Sequence, residues 1–90
     1  MKTIWKYCLE IVDAQVITVP QYYEVLYAGL DPSGAPCIWI EVNTEEPEVP
    51  VQIFIVGTGN PMPEVACIYV GSLVRGYLVW HVYTGFPEYK

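Results

Sequence analysis

Apolar and polar residues alternate with a period of two along most of this chain, and turn residues rather than helical stripes break the alternation. From Thr3 to Val12, Trp5, Tyr7, Leu9 and Ile11 fall on one side and Lys6, Cys8 and Glu10 on the other, which predicts a strand with one wet face. Asp13-Ala14 turns the chain into a short second strand, Gln15 to Val19, ended by Pro20. A third strand covers Tyr22 to Leu30, with Tyr23, Val25 and Tyr27 on one face and Tyr22, Glu24, Leu26 and Ala28 on the other. Asp31-Pro32-Ser33-Gly34 has the residue order of a tight turn. The return strand, Cys37 to Val42, sets Cys37, Trp39 and Glu41 against Ile38, Ile40 and Val42.

An acidic, proline-bearing connection, Asn43 to Pro50, leads to the most apolar stretch of the chain, Val49 to Val56. Four of the five residues from Gln52 to Val56 are β-branched or aromatic, so a central, buried strand is expected there. Gly57-Thr58-Gly59-Asn60-Pro61 ends it. Cys67 to Val74 and Tyr77 to Tyr83 form a last predicted pair, with Arg75-Gly76 as a type I′ turn between them. The tail, Thr84 to Lys90, is expected to order only by packing Phe86 and Tyr89. No window carries a helical stripe, and eight prolines and seven glycines punctuate the chain. The expected fold is all-β: a single domain over residues 1–90, built as a small antiparallel barrel or sandwich of six to seven strands.

Composition changes this picture in one respect. A domain this small has much surface per residue, yet 53% of its residues are apolar and it carries 8 Tyr, 3 Trp and 2 Phe. That excess predicts an interface with another copy, most simply a two-fold homodimer. The formal charge of −6, with only Lys2, Lys6, Arg75 and Lys90 basic, excludes a phosphate-neutralising stripe and hence direct nucleic-acid binding. No apolar run is long enough for a membrane span. Cys8, Cys37 and Cys67 are odd in number and far apart in sequence, which predicts free thiols in a reducing compartment. With one His and no ligand spacing, no metal or other cofactor is expected.

The residues that could carry chemistry are few. His81 has no Ser-His-Asp or Cys-His companion by spacing, and reads as a half-buried histidine bonded across a sheet, so no catalytic residue and no enzyme are assigned. The Gly57-Thr58-Gly59-Asn60 turn offers main-chain N–H groups to an anion, though neither a third glycine nor a following helix completes a phosphate-loop fingerprint. Trp5, Tyr7, Tyr23, Tyr27, Trp39, Tyr77 and Tyr83 lie on predicted strand faces and could line one concave surface, for stacking or for an interface.

The opening MKTIWKY, the strand PCIWIEV (Pro36 to Val42), the Ile53 to Pro63 segment with its GTG-x-P-x-P turn, YVGS (Tyr69 to Ser72) and LVWHVY (Leu78 to Tyr83) resemble a family of short proteins encoded by bacteriophages and prophages. The resemblance covers most of the chain and departs at the tyrosine-rich Gln21 to Ser33 hairpin and at Phe86 to Tyr89. It implies a phage accessory protein acting in the host cytoplasm against host defence, with no catalytic residue to carry over. One expectation is a sponge that sequesters a compact nucleotide-derived immune signal, in the manner of anti-Thoeris and anti-CBASS sponges. The base would stack on Tyr23, Tyr27 or Trp39, the phosphate would meet Arg75 and the main chain of Gly57, Thr58, Gly59 and Asn60, and His81 is a further ligand-binding candidate. The other expectation is a protein–protein interaction module that inhibits a host defence protein or serves as a small virion component.

Overall fold

The computed structural model describes residues 1–87. Seven strands follow one another: β1 (Lys2–Cys8), β2 (Ala14–Pro20), β3 (Glu24–Leu30), β4 (Pro36–Asn43), β5 (Glu48–Gly57), β6 (Cys67–Arg75) and β7 (Leu78–Gly85). No helix occurs among the described residues. All seven join one sheet in the order β1-β4-β3-β6-β7-β5-β2. The sheet curls into a half-barrel, which brings β2 into contact with β4 although four strands lie between them. Every pairing is antiparallel except one: β3 and β6 run parallel and meet only at Ala28 and Gly71. The expected all-β fold is therefore present as a single mixed sheet. The tail residues from 88 onward, including Tyr89, lie outside the described residues, while Phe86 is exposed.

The alternation predicts the inner face well. Leu9, Val19, Ile38, Ile40, Val42, Val51, Ile53, Ile55, Leu73 and Val82 form the core inside the curl, and full burial of each such side chain contributes about 1.5–3 kcal/mol. β5 is interior but not central: it lies between β7 and the edge strand β2. Both of its faces are covered, since Phe54 and Val56 are also buried on the outer side, where Tyr83 and His81 are their register partners on β7.

Main-chain accounting explains the prolines. Ile55 N–H donates to Asp13 C=O at 3.2 Å and Gln21 N–H to Pro47 C=O at 2.9 Å, so the odd-numbered residues of β2 turn their main-chain groups toward β5. Ala14, Val16, Thr18 and Pro20 then point theirs out from the sheet edge, where the missing N–H of Pro20 costs nothing. Pro50 stands opposite Thr18, so its missing donor faces away from β2, and β7 pairing begins only at Ile53.

Three local readings are corrected by the structure. The β6–β7 turn uses Gly76 and Tyr77, not Arg75 and Gly76, because Arg75 pairs with Leu78. Gly76 at φ 61° with Tyr77 in the ordinary region is a type II′ turn, which takes glycine at its first central position. In β3 a register shift between Val25 and Tyr27 inserts Leu26 as an extra residue. The face therefore changes: Tyr23 and Val25 pack on the core while Tyr27 turns outward opposite Trp39. Finally, β1 ends at Cys8 rather than continuing to Val12, and both Ile11 and Val12 are exposed.

Candidate functional site

The seam between β3 and β6 is the most distinctive place on the surface. A register shift on β3, between Val25 and Tyr27, and another on β6, between Tyr69 and Gly71, flank the single Ala28–Gly71 bridge. Bulges bend strands and increase local twist, so below that bridge the two strands part. The result is a cleft of about 300 Å³ lined by Tyr23 to Leu26 on one side, Ile68 to Val70 on the other, and Thr84, Gly85 and Pro87 at the end of β7. Leu26, Ile68 and Tyr69 are 42%, 42% and 55% exposed, a cluster of apolar surface facing water. β3 pairs only with β4 along Glu24 to Tyr27, and β6 only with β7 along Cys67 to Tyr69, so their cleft-side main-chain groups take no part in the sheet.

From the rim a string of hydrogen bonds runs outward along the convex face. Tyr69 Oη lies 2.7 Å from Ser72 Oγ, which lies 3.3 Å from His81 Nδ1; His81 Nε2 lies 2.9 Å from Thr58 Oγ1. One proton arrangement satisfies every link. The Thr58 hydroxyl donates to Val79 C=O at 3.1 Å, so His81 Nε2–H donates to Thr58, Nδ1 accepts from Ser72, and Ser72 accepts from Tyr69. The fold thus brings a serine and a histidine together that sequence spacing does not. The third member is a threonine and not a carboxylate, so the string orients the imidazole without supplying the charge that a serine–histidine–aspartate triad uses to stabilise imidazolium.

The nine residues singled out from sequence fall into four separate places. Tyr23 lines the cleft. Tyr27 and Trp39 form a tilted pair on the convex face with ring centroids 5.7 Å apart. The Tyr27 ring also lies over Gly29, where a β-carbon would meet its ring atoms, so one side of that ring is already in use. Gly57, Thr58, Gly59, Asn60 and His81 do converge, but two of the turn's N–H groups are already bonded to protein carbonyls. Thr58 N–H bonds Val79 C=O at 3.1 Å and Asn60 N–H bonds Gly57 C=O at 3.0 Å. Arg75 reaches the other way and donates to Gly34 C=O at 2.7 Å. The expected single concave aromatic surface is not formed, because Trp5 and Tyr7 face inward while Tyr27, Trp39 and Tyr83 face outward.

Tyr69, Ser72, Leu26 and Ile68 were not legible as site residues in the sequence. The one signal was Val70-Gly71, which interrupts the alternation of β6 and marks a close approach of main chains. Among the described residues no three His, Cys, Asp or Glu side chains come together as a metal site, and no helix is long and apolar enough to cross a membrane.

The described residues thus form an all-β half-barrel whose β3–β6 seam parts into an apolar cleft. Residues 1–89 match the family model described as a domain of unknown function, DUF7352, and the chain belongs to that family. No curated protein and no solved structure matches it.

Proposed function

We propose that this protein acts by binding without catalysis, and that its ligand is an extended peptide segment of a partner protein received in the β3–β6 cleft. The observation that carries this reading is the split seam: two strands present main-chain groups not used by the sheet, with apolar side chains beside them. Strand addition uses that combination, main-chain pairing for affinity and side-chain pockets for specificity. The net charge of −6 and Glu24 in the cleft lining favour a segment with a basic residue beside its apolar ones. For a phage accessory protein, as the sequence resemblance implies, the partner would be a host or phage protein. The nucleotide-signal reading is served less well, because Arg75 and two N–H groups of the Gly57–Asn60 turn are bonded to protein carbonyls.

The test is selection from a displayed library of short linear peptides, followed by amide chemical-shift mapping. Binders with alternating apolar residues and a basic residue, shifting Glu24 to Tyr27 and Cys67 to Val70 and weakened at least tenfold by Ile68→Glu, support the proposal. Peptides whose binding ignores Ile68→Glu, or a cyclic dinucleotide that shifts the Gly57–Asn60 turn instead, would overturn it.

The second part of the proposal is self-assembly through β2. This edge strand, AQVITVP, carries no charged residue, whereas the opposite edge, β1, has Lys2 and Lys6 to discourage pairing. Ala14, Val16 and Thr18 present outward main-chain groups, and Val16 is 60% exposed. Antiparallel pairing of β2 with its two-fold copy would extend the sheet across a homodimer.

A further inference from the structure

Cys8 and Cys37 face each other across β1 and β4, and their Sγ atoms lie 4.0 Å apart. The hydrogen-bond pattern fixes the kind of pair they form. Leu9 N–H donates to Pro36 C=O at 2.9 Å and Thr44 N–H donates to Met1 C=O at 2.9 Å, so the odd-numbered residues of β1 exchange main-chain bonds with β4. Cys8–Cys37 is therefore a non-hydrogen-bonded pair, the class in which opposing Cα atoms approach to about 4.5 Å. That separation falls inside the range of about 4.4–6.8 Å that a disulfide spans. Both are free thiols, as expected, yet pairing of the first and fourth strands brings together two cysteines that lie far apart in sequence. Cys8 is exposed and Cys37 fully buried, so one sulfur meets solvent while the other waits beneath it.

We infer that Cys8 and Cys37 are a dithiol modification site that closes to a cross-strand disulfide by exchange with a low-molecular-weight disulfide of the glutathione class. Cys8, having lost its proton to solvent, attacks one sulfur of the small disulfide; that S–S bond breaks and one small thiolate leaves to be protonated. Cys37 then loses its proton and attacks Cys8 Sγ, and the second small thiolate departs and is protonated in turn. Two protein thiols and one small disulfide become one protein disulfide and two small thiols, the protein giving up two electrons and two protons. Burial, with the neighbouring Cys8 sulfur, pushes the Cys37 thiol up to about 11, so the closing step accelerates as pH rises. The product ties the edge strand β1 to β4 and encloses all of β2 and β3 in a covalent loop.

The experiment treats the full chain, carrying Cys67→Ser to remove the third thiol, with oxidised glutathione at mildly alkaline pH, and reads intact mass, a proteolytic map and thermal melting. The expected product has lost two hydrogens, links the Cys8 and Cys37 peptides, and reverts with dithiothreitol. Its melting temperature exceeds that of the reduced form by roughly 5 °C or more. Cys37→Ser should halt at the glutathione adduct on Cys8. Because Cys37 is buried and that variant could lose its fold, Cys8→Ser at an exposed position is the second control, and its Cys37 should resist both glutathione and alkylation until denatured. Accumulation of the Cys8 adduct in the protein that retains Cys37, disulfide-linked dimers in place of the internal link, or oxidation only after denaturation would each overturn the inference.

Discussion

Gly71 passes so close to the carbonyl of Ala28 that a β-carbon on Gly71 would collide with its oxygen and lie 3.0 Å from its carbon. The colliding atoms are main chain, so no side-chain rotation can relieve the contact, and this is the one residue pair that bridges β3 and β6. Gly71→Ala should therefore destabilise the fold by about 2–3 kcal/mol, near the upper end for overpacking. Urea denaturation followed by circular dichroism measures it; a change within experimental error would show that the seam tolerates separation.

The Tyr7 hydroxyl is buried without a hydrogen-bond partner, alone in this among the side-chain polar atoms of the described residues. Burial, reinforced by the charge of Glu48, holds its ionisation above the usual tyrosine range. Removing an unsatisfied polar atom while keeping the ring removes a desolvation cost, so Tyr7→Phe should stabilise the protein by about 1 kcal/mol. Denaturant melts of the two proteins decide this, and a loss of stability would argue that the hydroxyl has a partner in solution.

The β3–β4 turn carries a pH signature. Asp31 Oδ1 accepts from Ser33 Oγ, Ser33 N and Ala35 N at 2.6, 2.9 and 2.9 Å, and Oδ2 accepts from Lys6 Nζ at 2.9 Å. The Ser33 hydroxyl, then Lys6 and the Ala35 amide, hold the carboxyl well below its ordinary value, and Asp31 in turn raises Lys6. A carboxylate depressed by folding contributes fully above its ordinary value of 3.8 and loses that contribution as pH falls through the folded value. A raised lysine contributes fully below 10.5 and fades as pH rises through its folded value. Asp31→Asn should thus lower the melting temperature throughout the neutral range, with the gap to wild type closing in strong acid. A gap independent of pH would mean that the turn's geometry, not the charge, supplies the stability.

Dimer formation through β2 predicts a light-scattering mass of twice 10.2 kDa at micromolar concentration. Val16→Lys, at an exposed edge position, should return the protein to the monomer mass without altering its circular dichroism. A wild-type mass of 10.2 kDa would remove the edge-pairing proposal.

Much of the fold was legible in the residues themselves. The alternation from Cys37 to Val42 assigns inner and outer faces correctly, because a pleated strand leaves a side chain only two directions. Asp31-Pro32-Ser33-Gly34 announces its turn because the aspartate satisfies nearby N–H groups by itself. What local sequence could not decide was the register within a pair or the neighbours beyond a hairpin. Tyr27 changes face through a bulge that exists only in register with β4, and Ala28 meets Gly71 only because two hairpins pack side by side. The Tyr69–Ser72–His81–Thr58 string and the Cys8–Cys37 pair depend in the same way on strand order. Residue pattern was enough to place the strands, most of their turns and most of the core, since those follow from torsion preferences and burial along one chain. Beyond the β3–β4 and β6–β7 hairpins, which their turns announce, only the folded sheet shows which strands are neighbours and where two of them part, because that main-chain pairing acts between residues far apart in sequence.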